Sequence, residues 1–415
     1  FPRDLVLGRA PTDFDLVVEG SAIQLANRLA AKYGGQTTIH RRFGTAKWHL
    51  DRTVTPGWPG GASTGRRHAD VHLDLISARS EVYPRPAQLP HIRLGTIAED
   101  LQRRDFTINT LAIRLDGKHF GTVLDPLGAL DDVERGAIRV LHDRSFRDDP
   151  TRMYRAVRYE KRLGFKITPE TLRLTAAARR WVGQLSAHRI RQELDQILGE
   201  DQAAAMLSRL GRLGLLSAVH RALPNDNRAL RRLRIEEQAR RDAADTRGNA
   251  RGRTKQWLLW LMDLTPVQIA SVRQRLRFDN KLTAELVAAS ELRRNISRLI
   301  RLRPSRLTQR LRKLPLVAVE TVHGALPPGK PRRVLAEYLT NWRHIRPRAT
   351  GIDLRALGIP PGPAYRSILE ELRAAWIDGT IKSAAEERLQ VEKYVRQLRR
   401  AGVRATVKPP KRRNE

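Results

Sequence analysis

Residues 1–20 read FPRDLVLGRAPTDFDLVVEG, and the run DFDLVV at 13–18 sets two carboxylates in a stretch of apolar, strand-forming residues. Residues i and i+2 of a β-strand point to the same face, so the pattern predicts that Asp13 and Asp15 converge while Phe14 and Leu16 turn into the core. Two like charges so close repel each other unless a cation lies between them. Mg²⁺ takes oxygen ligands of this kind and assists in-line displacement at phosphorus. A D-x-D pair before an apolar run is also common without a metal, so other stretches must decide.

The charge of the chain indicates a polyanionic partner. The 415 residues are 40% hydrophobic, enough for several domains with a substantial core, and 78 Lys+Arg against 44 Asp+Glu give a net charge of +34. Such an excess favours nucleic acid, because neutralised phosphates release counterions. Residues 1–150 hold only 21 basic and 19 acidic residues, which leaves 57 and 25 for the remainder. The front of the chain therefore reads as the part that does chemistry, and the rest as the part that binds the polyanion.

The absence of cysteine excludes disulfides, thiolate metal sites and a cysteine nucleophile, and it fits a reducing cytoplasm. The densest apolar cluster, WLLWLM at 257–262, is far too short to span a bilayer, and the start of the sequence lacks the pattern of a signal peptide. We therefore expect a cytoplasmic protein with no membrane partner.

The periodicity of the sequence predicts an α+β protein. Residues 1–135 alternate helical and strand patterns, interrupted by TVTPGWPGGASTGRR at 53–67, a stretch typical of a mobile loop. From residue 136 onward the pattern is helical, with Pro or Ser/Thr starts and Gly stops. We divide this part into a neck, 136–200, a body, 201–300, and a tail, 301–415, whose basic end VKPPKRRNE is expected to be disordered.

Two further stretches carry polar residues in an ordered pattern. In RHADVHLDLISAR, at 67–79, Asp74 stands between apolar neighbours in a second predicted strand, which alone would fit an acid at a sheet edge. The stretch EDLQRRDFTINTLAI, at 99–113, contains R-R-D-F-T-x-N and is far more specific.

With these stretches, the sequence closely resembles the tRNA nucleotidyltransferase/poly(A) polymerase family of the DNA polymerase beta superfamily, in its bacterial and eukaryotic class. The start resembles the family's G-G-x-V-R-D-x-L-L-G-R...D-x-D metal motif. The resemblance continues in five further stretches: HRRFGTAKW at 40–48, R-R-D-F-T-x-N, DPLGALDD at 125–132, DDPTRMYRAVRYEKRLGF at 148–165 and TGIDLRALGIPPGPAYRSILEEL at 350–372. It implies a polymerase-beta-like nucleotidyltransferase head at 1–135, followed by the all-α neck, body and tail.

The resemblance also implies roles for individual residues. Asp13 and Asp15 would hold Mg²⁺, and Asp74 would complete the catalytic set. The expected nucleotide-binding residues fall into four groups. Arg104 and Asp105, with Asn109 nearby, would contact the ribose, and Asp149 and Arg152 would contact the base. Arg155 and Arg158 would make further contacts, including contacts with phosphates, and Arg3 belongs to the first motif.

The base-reading assignment has a physical reason. Cytosine and adenine both show an amino donor beside a ring-nitrogen acceptor, whereas uracil and guanine present the opposite order. A carboxylate and an arginine would therefore accept C and A and reject U and G. Read without the family, Asp149 suits an N-cap, Pro150 suits a first helical turn, and three arginines recur every third residue, a pattern equally typical of a capped helix with a solvated stripe.

We expect an enzyme that adds CCA to tRNA from CTP and ATP, with the basic helical half holding the acceptor arm. Poly(A) polymerases and enzymes that add only CC or only A share these motifs. An alternative of another class is a non-catalytic protein that binds structured RNA. It is favoured by one feature: the sequence begins at Phe1, without an initiating Met, where the family motif would already have supplied two glycines. A chain lacking them is expected to be a fragment with impaired nucleotide binding.

Overall fold

The computed structural model describes residues 1–10, 14–41, 44–50, 72–242, 250–359 and 361–400. Three expectations lie wholly or partly outside this range: the position of Asp13, the mobile loop at 53–67 and the disordered basic end. The chain forms two compact units, Phe1–Asn225 and Asp226–Glu415. The finer division at residues 135, 200 and 300 stays a prediction.

The first unit begins with a short helix and a four-stranded sheet of order β1-β4-β3-β2. β1 pairs with β4 in parallel, and the other neighbours are antiparallel. The elements of this head are α1 (Pro2–Val6), β1 (Asp15–Val18), α2 (Ala22–Tyr33), β2 (Gln36–His40), β3 (Thr45–His49) and β4 (His72–Ser77). The predicted pattern of strand, helix and further strands is confirmed over this stretch.

Helix α2 covers one face of the sheet. It begins after Ser21, whose side chain accepts from the Gln24 amide at 3.2 Å, and it buries Ala22 and Ala26 against Ala46, Trp48 and Leu75. These strand residues alternate with polar ones, so the apolar face packs on the helix and the polar face stays open.

Gly35 forms the tight connection from α2 to β2. Its φ is +88°, a conformation that favours glycine, and a Cβ there would lie 2.3 Å from the His49 carbonyl oxygen. The close approach of the two backbones therefore requires glycine at this position.

Phe14 corrects one expectation. It precedes the first residue of β1, its side chain is exposed, and its ring lies 4.8 Å from that of Phe1. Because strand alternation starts only at Asp15, the Phe14 side chain does not enter the core. Leu16 packs against the core, as predicted.

Two hairpins and a short helix follow the sheet. Their bounds are β5 (Arg79–Val82), β6 (His91–Leu94), α3 (Ile97–Gln102), β7 (Ala112–Ile113) and β8 (Val123–Leu124). Thr96 and Glu99 close a capping box on α3, and Glu19, just after β1, accepts from the Ile97 amide at 2.7 Å. These contacts place the Arg103–Asn109 segment beside the sheet.

The rest of the first unit is mostly helical. It comprises α4 (Ala129–Glu134), β9 (Ala137–Ile138), α5 (Ser145–Asp148), α6 (Thr151–Leu163), β10 (Lys166–Ile167), α7 (Pro169–Ala178), α8 (Ala187–Gly199), α9 (Ala203–Arg212) and α10 (Leu215–Val219). The prediction of a helical run from residue 136 is confirmed in outline. It missed the parallel pair β9–β10, because strands of two residues leave no periodic signal.

The described part of the second unit is helical throughout. Its elements are α11 (Asn227–Asp242), α12 (Ala250–Leu261), α13 (Pro266–Leu276), α14 (Asn280–Leu299), α15 (Pro304–Leu311), α16 (Leu316–Ala325), α17 (Lys330–Glu337), a π-turn (Tyr338–Trp342), α18 (Gly351–Ala356), α19 (Pro363–Ile377) and α20 (Ala384–Arg400). Trp257 and Trp260 of the WLLWLM cluster are buried, which explains the apolar run as core. Among the described residues, no helix has both the length and the apolar character needed to cross a bilayer.

Candidate functional site

A row of charged side chains crosses the open face of the head sheet. Asp15 of β1 is in register with Asp74 of β4, and Asp74 is in register with Lys47 of β3. Leu73 and Leu75 pack on the opposite, helix-covered face. The pleat therefore turns Asp15, Asp74 and Lys47 to the same open side, whereas the predicted convergence of Asp15 with Asp13 stays a prediction, because Asp13 lies outside the described residues.

Lys47 is an ion-pair partner of Asp74 that sequence reasoning missed. Its Nζ lies 3.2 Å from Oδ1 and 3.3 Å from Oδ2 of Asp74, and 3.0 Å from Nε2 of His72. His72 and His49 continue the polar face, with ring centroids 5.9 Å apart. The alternation of β3 already turned Lys47 to this face, but its partner depends on the register between β3 and β4.

The open face fits a hard divalent cation in its chemistry. Asp15 and Asp74 offer carboxylate oxygens on neighbouring strands, the donor type that Mg²⁺ takes. Within the described ranges no group of three or more His, Cys, Asp or Glu forms a metal cluster, and Asp13, the other predicted ligand, lies outside them. The pair is thus a partial donor set for such a cation.

Asp100 fixes the two arginines that open the R-R-D-F-T-x-N segment. Its carboxylate is fully buried and accepts from Arg103 Nη2 at 2.6 Å and from Arg104 Nη2 at 3.0 Å. Arg103 also pairs with Glu81 at 3.2 Å. A buried carboxylate shared by two guanidiniums holds both side chains in one orientation.

Asp105 lies at the centre of a buried hydrogen-bond network. Its Oδ1 accepts from the Asn109 amide at 2.8 Å and its Oδ2 from Arg155 Nε at 2.7 Å. Burial by itself raises the pKa of this carboxyl group, but Arg155, the Asn109 hydrogen bond and Arg152 outweigh it, and the pKa is lowered. The reciprocal attraction of Asp105 raises the pKa of Arg155.

Arg3 ties the N-terminal helix to this network. Its Nη1 donates to Oδ1 of Asn109 at 2.5 Å, its Nη2 lies 2.7 Å from Asp4, and its guanidinium lies 5.3 Å from the centre of the Tyr159 ring. The structure therefore brings together Arg3, Asp105, Asn109 and Arg155, and their binding of a nucleotide stays a prediction.

The start of α6 differs slightly from the sequence expectation. Pro150 takes the N-cap position, and Asp149 lies one residue earlier, where its Oδ1 accepts from the Thr151 amide at 2.9 Å. The same carboxylate forms an ion pair of 2.5 Å with Arg189 of α8, which also donates to the Ala87 carbonyl at 2.9 Å. Arg189 was missed because it lies forty residues from Asp149 in sequence, and no periodic pattern links the two.

Arg152, Arg155 and Arg158 of α6 are not a solvated stripe. Arg152 is 6% exposed and donates to Ser145 Oγ and to the Arg103 carbonyl, both at 2.8 Å. Arg158 is also buried and lies 3.4 Å from Glu193 and 3.8 Å from Glu200. Arg155 bonds Asp105, as described above. The predicted contacts of these side chains with base and phosphates stay predictions.

Comparison with known proteins first defines the class to which this protein belongs. The family model described as the poly A polymerase head domain matches residues 2–139, and the model described as the probable RNA and SrmB-binding site of polymerase A matches residues 164–225. The first match covers the sheet and the R-R-D-F-T-x-N segment. The class of protein that the fold and the site define is therefore a nucleotidyltransferase.

Relatives narrow this class. The chain is 31% identical over 93% of its length to the A-adding tRNA nucleotidyltransferase of Geobacter sulfurreducens, of which it spans 43%. It is 30% identical to the CC-adding tRNA nucleotidyltransferase of Deinococcus radiodurans, covering 95% of this chain and 87% of the relative. The chain belongs to the tRNA nucleotidyltransferase/poly(A) polymerase family.

A solved structure agrees with the fold. The Thermotoga maritima CCA-adding enzyme complexed with tRNA superposes with a TM-score of 0.71 at 25% identity, covering 96% of this chain and 90% of that chain. The predicted fold class, a nucleotidyltransferase head followed by a helical remainder, is confirmed.

Proposed function

We propose that the chain adds nucleotides to the 3′ end of tRNA, using CTP and ATP to build CCA without a nucleic-acid template. The observation that carries the proposal is the register of Asp15 with Asp74, which sets two carboxylates on the open face of the head sheet. The nucleotide-binding residues implied by the family lie in the same compact unit. The cytoplasmic location stays a prediction.

The reaction would join the tRNA 3′ oxygen to the α-phosphorus of the nucleotide and break the bond to pyrophosphate. Asp15 and Asp74, with Asp13, would hold Mg²⁺, which lowers the pKa of the attacking hydroxyl and neutralises charge on the phosphates. The carboxylates orient the attacking end, and Arg3 and Arg104 offer guanidinium groups to the nucleotide. No covalent intermediate on the protein is needed.

Asp149 and Arg152 would select the base. A carboxylate accepts from the exocyclic amino group of cytosine or adenine, and a guanidinium donates to the adjacent ring nitrogen. Uracil and guanine would leave a buried donor and acceptor unpaired, which costs on the order of 1–3 kcal/mol for each group. The positions of both side chains are set by Arg189, Ser145 and the Arg103 carbonyl.

The helical second unit would bind the RNA backbone. Residues 301–313 hold six basic residues and no acidic one, and all six are exposed: Arg301, Arg303, Arg306, Arg310, Arg312 and Lys313. Phosphate contacts of this kind position the RNA without reading its sequence. The names of both relatives as tRNA nucleotidyltransferases support tRNA as the RNA partner.

A second candidate is addition of the terminal A alone. The Geobacter relative that aligns with 93% of the chain is named an A-adding enzyme, and A addition needs the same carboxylates and the same selecting pair. In this case the acceptor would be a tRNA that already ends in CC.

One experiment separates these activities. The purified chain is incubated with tRNA ending at the discriminator base or in CC, with CTP, ATP or both, and the products are resolved at single-nucleotide length. Addition of CCA to the first substrate supports the proposal. Addition of a single A to the second substrate, with no addition to the first, supports the second candidate. Long A tracts would indicate a poly(A) polymerase, and RNA binding without incorporation would indicate a non-catalytic binder. EDTA should stop incorporation and added Mg²⁺ restore it.

A further inference from the structure

We propose that Lys47 sets the metal affinity of the catalytic carboxylates: its ammonium group occupies Asp74 and must be displaced when a divalent cation binds. The inference rests on the proposed function, because it takes Asp15 and Asp74 as cation ligands. It assigns a positioning role to a residue that does not touch the nucleotide in the mechanism above.

The geometry places the ammonium where a cation would compete with it. Lys47 and Asp74 are a cross-strand pair of β3 and β4, and Nζ lies almost equally far from the two carboxylate oxygens, at 3.2 and 3.3 Å. Both oxygens of Asp74 are therefore engaged by one positive charge. Asp15, the partner of Asp74 on the other side, is exposed, and no ion pair of its carboxylate is seen among the described residues.

A divalent cation and this ammonium cannot share Asp74 without cost. Mg²⁺ binds carboxylate oxygens at about 2.1 Å, so an ion on Asp74 would lie within a few ångströms of Nζ in its present position. Positive charges at that distance repel each other strongly, and more so where the sheet excludes part of the solvent. The free energy of separating Lys47 from Asp74 is therefore subtracted from the free energy of cation binding.

His72 offers the displaced ammonium a second anchor. Nε2 of His72 lies 3.0 Å from Nζ of Lys47 and 3.8 Å from Oδ2 of Asp74, so it can accept from the ammonium group in the tautomer that leaves Nε2 without a proton. The side chain of Lys47 is 39% exposed and ends a flexible four-carbon stem. Lys47 can therefore leave Asp74 while it keeps its contact with His72 or reaches water.

Direct binding of Mn²⁺ to the full chain tests the proposal without any turnover. Free Mn²⁺ is measured by electron paramagnetic resonance during titration of the wild type, Lys47→Met, Lys47→Gln and Lys47→Arg. Lys118→Met, which removes the same charge from the exposed turn at Gly117–His119, is the matched control. We expect Lys47→Met and Lys47→Gln to bind Mn²⁺ on the order of three- to tenfold more tightly, because the competing charge is partly screened by solvent. Lys47→Arg and Lys118→Met should bind like the wild type.

Unchanged or weaker Mn²⁺ binding in both Lys47→Met and Lys47→Gln would overturn the proposal, as would an equal gain in Lys118→Met. Asp74→Asn separates this failure from failure of the proposed function. If Asp74→Asn loses Mn²⁺ binding while the Lys47 variants match the wild type, only the role of Lys47 is wrong. If Asp74→Asn and Asp15→Asn both bind Mn²⁺ as the wild type does, the cation is not on this row, and both assignments are wrong.

Discussion

The two parts of the candidate site hold their charged side chains in opposite ways. On the sheet face, Asp15 is exposed and Asp74 has a partly exposed lysine as its partner. Around α6, Asp105 and Arg152 are less than a tenth exposed and are held by hydrogen bonds and ion pairs. Exposed pairs contribute little to folding, whereas removal of one partner from a buried pair is costly. We therefore expect substitutions on the sheet face to affect catalysis alone, and substitutions in the network to affect both the stability of the fold and the recognition of the nucleotide.

Neutralising the carboxylates of the sheet face tests the first half of this comparison. Asp15→Asn and Asp74→Asn keep the shape of each side chain and remove its charge. We expect nucleotide incorporation into tRNA to fall by on the order of a hundredfold or more. The cation loses a carboxylate ligand, and the attacking hydroxyl loses the group that orients it. The melting temperature should stay within about 2 °C of wild type, since the lost pair is partly exposed.

Asp116→Asn is the control, because Asp116 pairs with Arg114 at an exposed hairpin and should not affect incorporation. A large loss of stability in Asp74→Asn would contradict the comparison. Full activity in both sheet-face variants would contradict the catalytic assignment.

Removing the central acid of the network tests the second half. Asp105→Asn leaves Arg155 without its carboxylate partner. We expect the free energy of unfolding, measured by urea titration, to fall by about 2–3 kcal/mol. This is below the full effect of a buried pair, because the Arg155 side chain is 38% exposed and can turn to water. Incorporation should fall as well.

For Asp105, the matched control is Asp131→Asn, since Asp131 is exposed and lies 3.9 Å from Arg135. An Asp105→Asn protein as stable as Asp131→Asn would show that the network does not support the fold.

The contrast between the two regions also explains what the sequence could predict. The alternation in β1 and in β4 sets Asp15 and Asp74 apart from the apolar face of each strand, because strand period is a local property, but only the register of β1 with β4 brings the two carboxylates together. Motif spacing brought Arg104, Asp105 and Asn109 into one segment for the same reason. The ion pairs of Asp74 with Lys47 and of Asp149 with Arg189 depend on strand register and helix packing across long stretches of chain. The prediction that Phe14 is buried was wrong because β1 begins one residue after it.

Arg189 holds the predicted base-reading carboxylate of Asp149 from a helix forty residues away in sequence. Arg189→Met should leave Asp149 held by Thr151 without its ion pair, so we expect about a tenfold loss of preference for CTP and ATP over UTP, as one charge-assisted hydrogen bond contributes about 1.5–3 kcal/mol. The measurement is incorporation of each nucleotide separately into the same tRNA. Arg191→Met on the same helix is the matched control, and an equal change in both variants would rule out a specific effect on Asp149.

The smallest effect we expect is a difference in pH dependence between wild type and Asp105→Asn. The folded-state pKa of Asp105 is lowered, so the unfolded chain binds the proton more readily, and stability rises with pH between the two values. The contribution of Asp105 to stability is complete above the unfolded pKa of about 3.9 and is lost as pH falls through the lower folded value.

The stability gap between wild type and Asp105→Asn should therefore narrow by on the order of 1 kcal/mol between pH 6 and pH 3 in urea titrations. Burial raises the pKa of Glu193, which gives the opposite slope, but this slope is largely common to both proteins and mostly cancels in the gap. A gap that stays constant with pH would mean that the charge of Asp105 does not stabilise the network, and that its hydrogen-bonding shape alone does.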